Sequence, residues 1–239
     1  DIDDMISKMT VEEKVGQLFY VNCRGNDMSD AINKYHIGGV LLFGVDFDGK
    51  TKEEVNAGIN AMQSNAKIPL IIGTDEEGGT VVRASDNPKL RESAYLSPSE
   101  TFANGGWSAV EDDAYDKAEF LLSLGVNVNM APVCDITSDS DSFMYYRSFS
   151  SDAASTSRFV ETVVKASKEK KLGTVLKHFP GYGDNGDTHY SDATDSRLYS
   201  ELQNNDFLPF QAGIAAGADS ILVSHITVNS IDSENPASL

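Results

Sequence analysis

Short apolar blocks alternate along this chain with longer stretches whose apolar positions recur at helical spacing. Ile37-Gly38-Gly39-Val40-Leu41-Leu42-Phe43, Leu70-Ile71-Ile72-Gly73-Thr74-Asp75 and Val126-Asn127-Val128-Asn129-Met130-Ala131-Pro132-Val133 are such blocks. With shorter ones at 19–22, 174–178 and 220–225 they predict six strands. Helical patterns fill the gaps near 10–18, after Thr51, and at 111–124, 153–170 and 207–216. Thr10 with Glu13 and Thr51 with Glu54 have capping-box spacing: hydroxyl and carboxylate each satisfy a free backbone N–H. Gly125 stands where the third helix needs a left-handed residue to stop it. Strand–helix alternation of this kind implies parallel strands with covering helices, an α/β fold in a single domain over 1–239.

An eight-fold (β/α) barrel needs roughly 250 residues. After His225 only 226–239 remain, which read as a polar loop. Either the sheet is open, or a barrel stops before its seventh strand.

The net charge is −18, from 19 Lys and Arg against 37 Asp and Glu. No basic face is available for phosphates, which argues against nucleic acid. No apolar run approaches the ~18 residues that suggest a membrane span. Cys23 and Cys134 match no zinc spacing and make no disulfide framework, so both read as buried thiols. The chain opens at Asp1 with neither methionine nor apolar leader, as a processed or trimmed chain does.

Polar residues gather where strands end, the place where parallel α/β folds carry their chemistry. Strand three runs into Asp75-Glu76-Glu77-Gly78-Gly79-Thr80-Val81-Val82-Arg83, strand four into a loop with Arg147, strand five into Lys177-His178, and strand six into His225. Each piece has a plain alternative: a turn, a surface arginine, a packed strand end. His36 reads as structural. The loop Gly181-Tyr182-Gly183-Asp184-Asn185-Gly186-Asp187-Thr188-His189 is the most telling. Residues i and i+2 of a bent loop bring a carboxylate against an imidazole, fixing its tautomer and favouring the charged ring. A histidine held so can protonate a leaving oxygen and later take a proton from water. Gly181, Gly183 and Gly186 give the loop unusual backbone freedom. No cluster has metal-ligand spacing, and no phosphate-cradling loop follows a strand.

Taken together, these residues resemble the glycoside hydrolase family 3 enzymes, specifically the β-N-acetylhexosaminidase branch. The resemblance rests on Met9-Thr10-Val11-Glu12-Glu13-Lys14-Val15-Gly16-Gln17, Ile37-Gly38-Gly39-Val40, the Asp75–Arg83 run, Ala131-Pro132-Val133, Arg147-Ser148-Phe149 and the Lys177–His189 stretch. It implies a (β/α)8 TIM-like barrel, here lacking its last strand–helix units. It implies retaining hydrolysis of terminal β-linked N-acetylglucosamine through a glycosyl-enzyme intermediate, without a cofactor. In this branch the acid/base is a histidine, which maps onto His189 with Asp187 as partner. Sugar-binding roles map onto Asp75, Arg83, Arg147, Lys177 and His178, with His225 lining the site.

Two departures stand out. Tyr182 replaces a histidine usual in that loop. No match exists for the nucleophilic aspartate after strand seven, since Asp219 and Asp232 have the wrong context. A retaining mechanism needs that group, so the chain as written is expected to bind sugar weakly and not to turn over. A barrel missing strands also leaves open edges, which predicts dimerisation, strand swapping or poor stability, and a homo-oligomer through those edges as a partner. A β-glucosidase, a phosphorylase and a non-catalytic sugar-binding barrel are the competing readings. The Thr10–Gln17 opening resembles exported members, which suggests a secreted or cell-surface protein, with the cytoplasm as alternative.

Overall fold

A computed structural model describes residues 2–239. The chain forms two compact units. The first holds the residues up to Asp75 with Arg83–Ala94 and Phe120–Val128; the second holds Glu76–Val82, Tyr95–Glu119 and Asn129–Leu239.

In the first unit the order is α1 (Ile2–Lys8), α2 (Val11–Gly16), β1 (Tyr20–Asn22), α3 (Ser29–Tyr35), β2 (Gly39–Leu42), α4 (Gly44–Phe47), α5 (Lys52–Asn65) and β3 (Ile71–Thr74). Both expected capping boxes form: Thr10 with Glu13 opens α2 and Thr51 with Glu54 opens α5. β1 pairs in parallel with β2, and β2 with β3, in the register Tyr20↔Gly39↔Ile71. Val40 and Ile72 are fully buried, as β-branched side chains on central parallel strands should be. Tyr20 explains two glycines in these strands. A Cβ on Gly73 would lie 1.8 Å from the Tyr20 hydroxyl, and one on Gly39 would lie 2.5 Å from the Tyr20 ring and 2.6 Å from the Ile71 carbonyl. Val11, Val15, Phe19, Tyr35 and Ile37 line an apolar groove of about 630 Å³ on this unit.

Helix α6 (Pro98–Ser123) and the short strand β4 (Val128–Asn129) carry residues of both units. Sequence reading places this helix only at 111–124. Helical residues instead begin at Pro98, and two helical segments meet across a kink at Gly105 and Gly106, neither of which has helical backbone angles, Gly106 having φ 63°. Gly125 closes it with φ 88°, as expected. Asparagines of the β4 region act as brackets. Asn127 takes the Ile72 N–H at 2.8 Å and donates to the Leu70 carbonyl, while Asn129 bonds both backbone groups of Glu76 at 3.0 Å.

The second unit continues with α7 (Ala153–Lys170), β5 (Gly173–Phe179), β6 (Ala193–Asp195), α8 (Tyr199–Asn204), α9 (Phe207–Ala216), β7 (Ser220–Val223) and β8 (Ile226–Val228). β5 pairs in parallel with β7. Its core joins Cys134, Phe149, Phe159, Val160, Leu176 and Phe210. One expectation is corrected here. Residues after His225 are not all loop, because Ile226-Thr227-Val228 pairs in parallel with Ala193-Thr194-Asp195. Ile226 and Val228 pack with Val133, Met144, Tyr182 and Leu202, so an alternating triplet too short to read alone is fixed by what it buries. Cys23 and Cys134 are buried free thiols, as read from the sequence. Among the described residues no helix is long and apolar enough to cross a membrane.

The Tyr20 contact gives a test of the packing. Gly73→Ala should destabilise the protein by about 1–3 kcal/mol through overpacking. Tyr20→Phe, which removes the clashing hydroxyl, should recover most of that loss. It should not rescue Gly39→Ala, whose Cβ meets the Ile71 backbone. Urea-unfolding midpoints of the single and double variants decide it.

Candidate active site

The second unit concentrates charge where its strands end. Lys177 lies in β5 and is only 2% exposed, and its ammonium sits 2.5 Å from the Glu77 carboxylate. Arg147 grips the same carboxylate with two bonds, Nε to Oε2 at 2.9 Å and Nη2 to Oε1 at 2.7 Å. Burial pushes the Glu77 carboxyl up, but the Lys177 charge and the Arg147 hydrogen bond outweigh it and bring it down to about 2.

His178 follows Lys177 and is also buried. Both groups are thus enclosed, each with its own partner. The Lys177–His178 peptide is cis. Asp135 accepts from the His178 backbone N–H at 3.0 Å and faces His178 Nδ1 at 2.7 Å. Its other oxygen accepts the Tyr182 N–H at 2.8 Å. Burial pushes the Asp135 carboxyl up, yet the His178 ring and these backbone donors hold it below its ordinary range. Arg147 Nη2 lies 3.1 Å from His178 Nε2. A guanidinium only donates, so Nε2 accepts and the ring hydrogen sits on Nδ1, toward Asp135. Two carboxylates, two cations and one imidazole thus meet in one enclosed network.

The glycine-rich loop leaves this network at Gly181 and Gly183, whose φ values are 110° and 54°. A Cβ at Gly183 would lie 2.7 Å from the Arg197 guanidinium. That guanidinium bridges Asp195 and Asp206, with closest contacts of 2.6 and 2.9 Å. Gly186 has ordinary φ, so two of the three glycines are required by the turn. Tyr182 turns inward, its hydroxyl 2.7 Å from that of Thr188 and its ring edge-on to His178. At the loop's far side Asp187 Oδ1 meets His189 Nδ1 at 2.6 Å and accepts the His189 N–H at 2.9 Å. Burial pushes Asp187 up, but the His189 N–H and ring outweigh it and leave the carboxyl low. The His189 side chain is 82% exposed.

The other expected residues are placed less closely. His225 is exposed between β7 and β8, with Nδ1 2.6 Å from Ser238 Oγ. Asp75 and Arg83 belong to the first unit; Asp75 raises the Tyr20 hydroxyl there, after burial, and Arg83 lies 5.7 Å from the Phe43 ring centre. Sequence reading overlooked Glu77 and Asp135, which join the cluster together. The available signal was position: each is an acid just past an apolar strand, as Asp75 is.

Three comparisons bear on this arrangement. Residues 10–239 match the model of the glycosyl hydrolase family 3 N terminal domain. The chain is similar to the β-hexosaminidase LpqI of Mycobacterium tuberculosis, 31% identical over 97% of this chain and 58% of the relative. It is 33% identical to a β-hexosaminidase of Stenotrophomonas maltophilia, over 80% of this chain and 57% of that one. A glycoside hydrolase family 3 β-N-acetylglucosaminidase from Paenibacillus sp. str. FPU-7 superposes with a TM-score of 0.88 at 26% identity, covering 96% of this chain and 45% of its own. The chain therefore spans little more than half the length of the curated relatives it matches. Its fold is the parallel α/β fold of that domain, a TIM-like barrel represented in part.

The balance of buried charge is testable. Glu77→Gln strands two cations and should cost about 3–5 kcal/mol in urea unfolding. Because folding depresses the Glu77 pKa, its contribution is complete above the ordinary value of 4.5 and is lost as pH falls toward about 2. The unfolding midpoint of the unmodified protein should thus fall through that window, and the Glu77→Gln variant should show a shallower fall.

Proposed function

Because the chain belongs to the glycosyl hydrolase family 3 N terminal domain family, we propose that its protein removes terminal β-linked N-acetylglucosamine with retention of configuration. The observation that carries this reading is the 2.6 Å contact between Asp187 and His189, which leaves the rest of the imidazole exposed. With Nδ1–H held by Asp187, Nε2 of the protonated ring gives its proton to the glycosidic oxygen as the bond breaks. Asp187 stabilises the imidazolium and fixes its tautomer. In the second half-reaction the same nitrogen takes a proton from the water that releases the sugar.

Arg147, Lys177 and His178 form the polar floor for the sugar, and the family resemblance gives sugar-binding roles to Asp75, Arg83 and His225 as well. Glu77 and Asp135 touch these floor residues and hold them in place. The attacking carboxylate lies outside residues 1–239. Asp219 is engaged by the Thr174 N–H at 2.9 Å, and Asp232 caps the turn at Glu234 and Asn235. Resemblance of the Thr10–Gln17 opening to exported members supports a place outside the cytoplasm.

Matched aryl β-N-acetylglucosaminide and β-glucoside test the reading in the whole protein. The N-acetyl substrate should be preferred. His189→Ala should lower kcat about 10²–10⁴-fold on a poor leaving group, where proton donation matters most, and much less on a good one. Preference for the glucoside, or turnover indifferent to His189, would overturn it.

A further inference from the structure

The loop that carries Arg147 also lines a concavity of different chemistry. It has a volume of about 360 Å³, within the range of small-ligand clefts, roughly 300–1,000 Å³. Its walls come from the start of α6 and from the loop that carries Arg147. The hydroxyls of Ser99, Thr137, Ser138 and Ser151 line it, together with Tyr145 and Tyr146. These tyrosines are 41% and 64% exposed, and their rings meet edge-to-face at 5.2 Å. On the same lining, Ser148 is 3% exposed, and its Oγ is buried with no hydrogen-bond partner among the described residues. A buried hydroxyl in that state costs about 1–3 kcal/mol until something pairs with it.

Aromatic faces beside short hydroxyls suit one kind of ligand. A pyranose ring has an apolar C–H face and a polar rim, which match a tyrosine ring and serine hydroxyls respectively. Charge narrows the choice further. No lysine or arginine lines the cleft among the described residues, and its one carboxylate, Glu100, is tied to the Ser97 hydroxyl at 2.5 Å and the Ser97 N–H at 3.0 Å. An acidic sugar would find no counter-charge there. Tyr146 and Ser148 flank Arg147 in sequence, so one short segment supplies both the cleft's lining and a residue of the proposed sugar floor.

We propose that this cleft is an additional subsite for a neutral sugar ring of the same oligosaccharide, selecting uncharged N-acetylhexosamine chains over chains bearing a carboxylate. It rests on the glycosidase reading above and adds the substrate class to it. Calorimetry on the whole protein, carrying His189→Gln so that chains are not consumed, compares chitotetraose with N-acetylglucosamine. The tetramer should bind about tenfold tighter than the monomer. Tyr145→Ala with Tyr146→Ala should erase that advantage and leave monomer affinity unchanged, while Tyr146→Phe should keep it. Three results would overturn the subsite: no tetramer advantage, an advantage that survives the double variant, or an equal advantage for a chain containing N-acetylmuramic acid. Turnover of the aryl N-acetylglucosaminide by the unmodified protein is measured separately and decides the glycosidase reading alone.

Discussion

The site rests on one buried ion pair, Lys177 with Glu77. Taking an ammonium and a carboxylate out of water is costly, and attraction offsets the cost only when geometry is close and the remaining polar atoms are satisfied. Arg147 meets that condition with its fork on Glu77, and the bracket from Asn129 fixes the backbone of the neighbouring Glu76. Arg147 in turn fixes which nitrogen of His178 can accept, and Asp135 takes the ring's other side. Each group is therefore oriented by the next.

The loop is built to another purpose. Its root is held by the Arg197 bridge between Asp195 and Asp206 and by Tyr182 against His178, both largely enclosed. Its tip presents His189 to solvent. The Asp187 carboxylate fixes the orientation of that ring while most of it stays exposed. Tyr182 is part of the loop's packing, and the Asp187–His189 contact forms beside it.

Much of this was legible because it depends on local rules. Both capping boxes and the Gly125 stop are set by a few neighbouring residues, and the six long or apolar strands announce themselves by pattern. The pairing of Asp187 with His189 is likewise a matter of two residues in a tight turn. Where reading failed, the deciding partner was distant. The Ile226–Val228 strand exists because Ala193–Asp195 lies beside it. Glu77 looked like one more acid in an acidic run.

The amino-acid sequence by itself therefore determined the α/β alternation, the helix boundaries that capping governs, the dyad in the loop and the family. The tertiary structure alone decided which charges are buried together. Burial multiplies the strength of an electrostatic contact, and it arises only when residues as far apart as Glu77, Arg147 and Lys177, or Asp135 and Tyr182, are enclosed in one place.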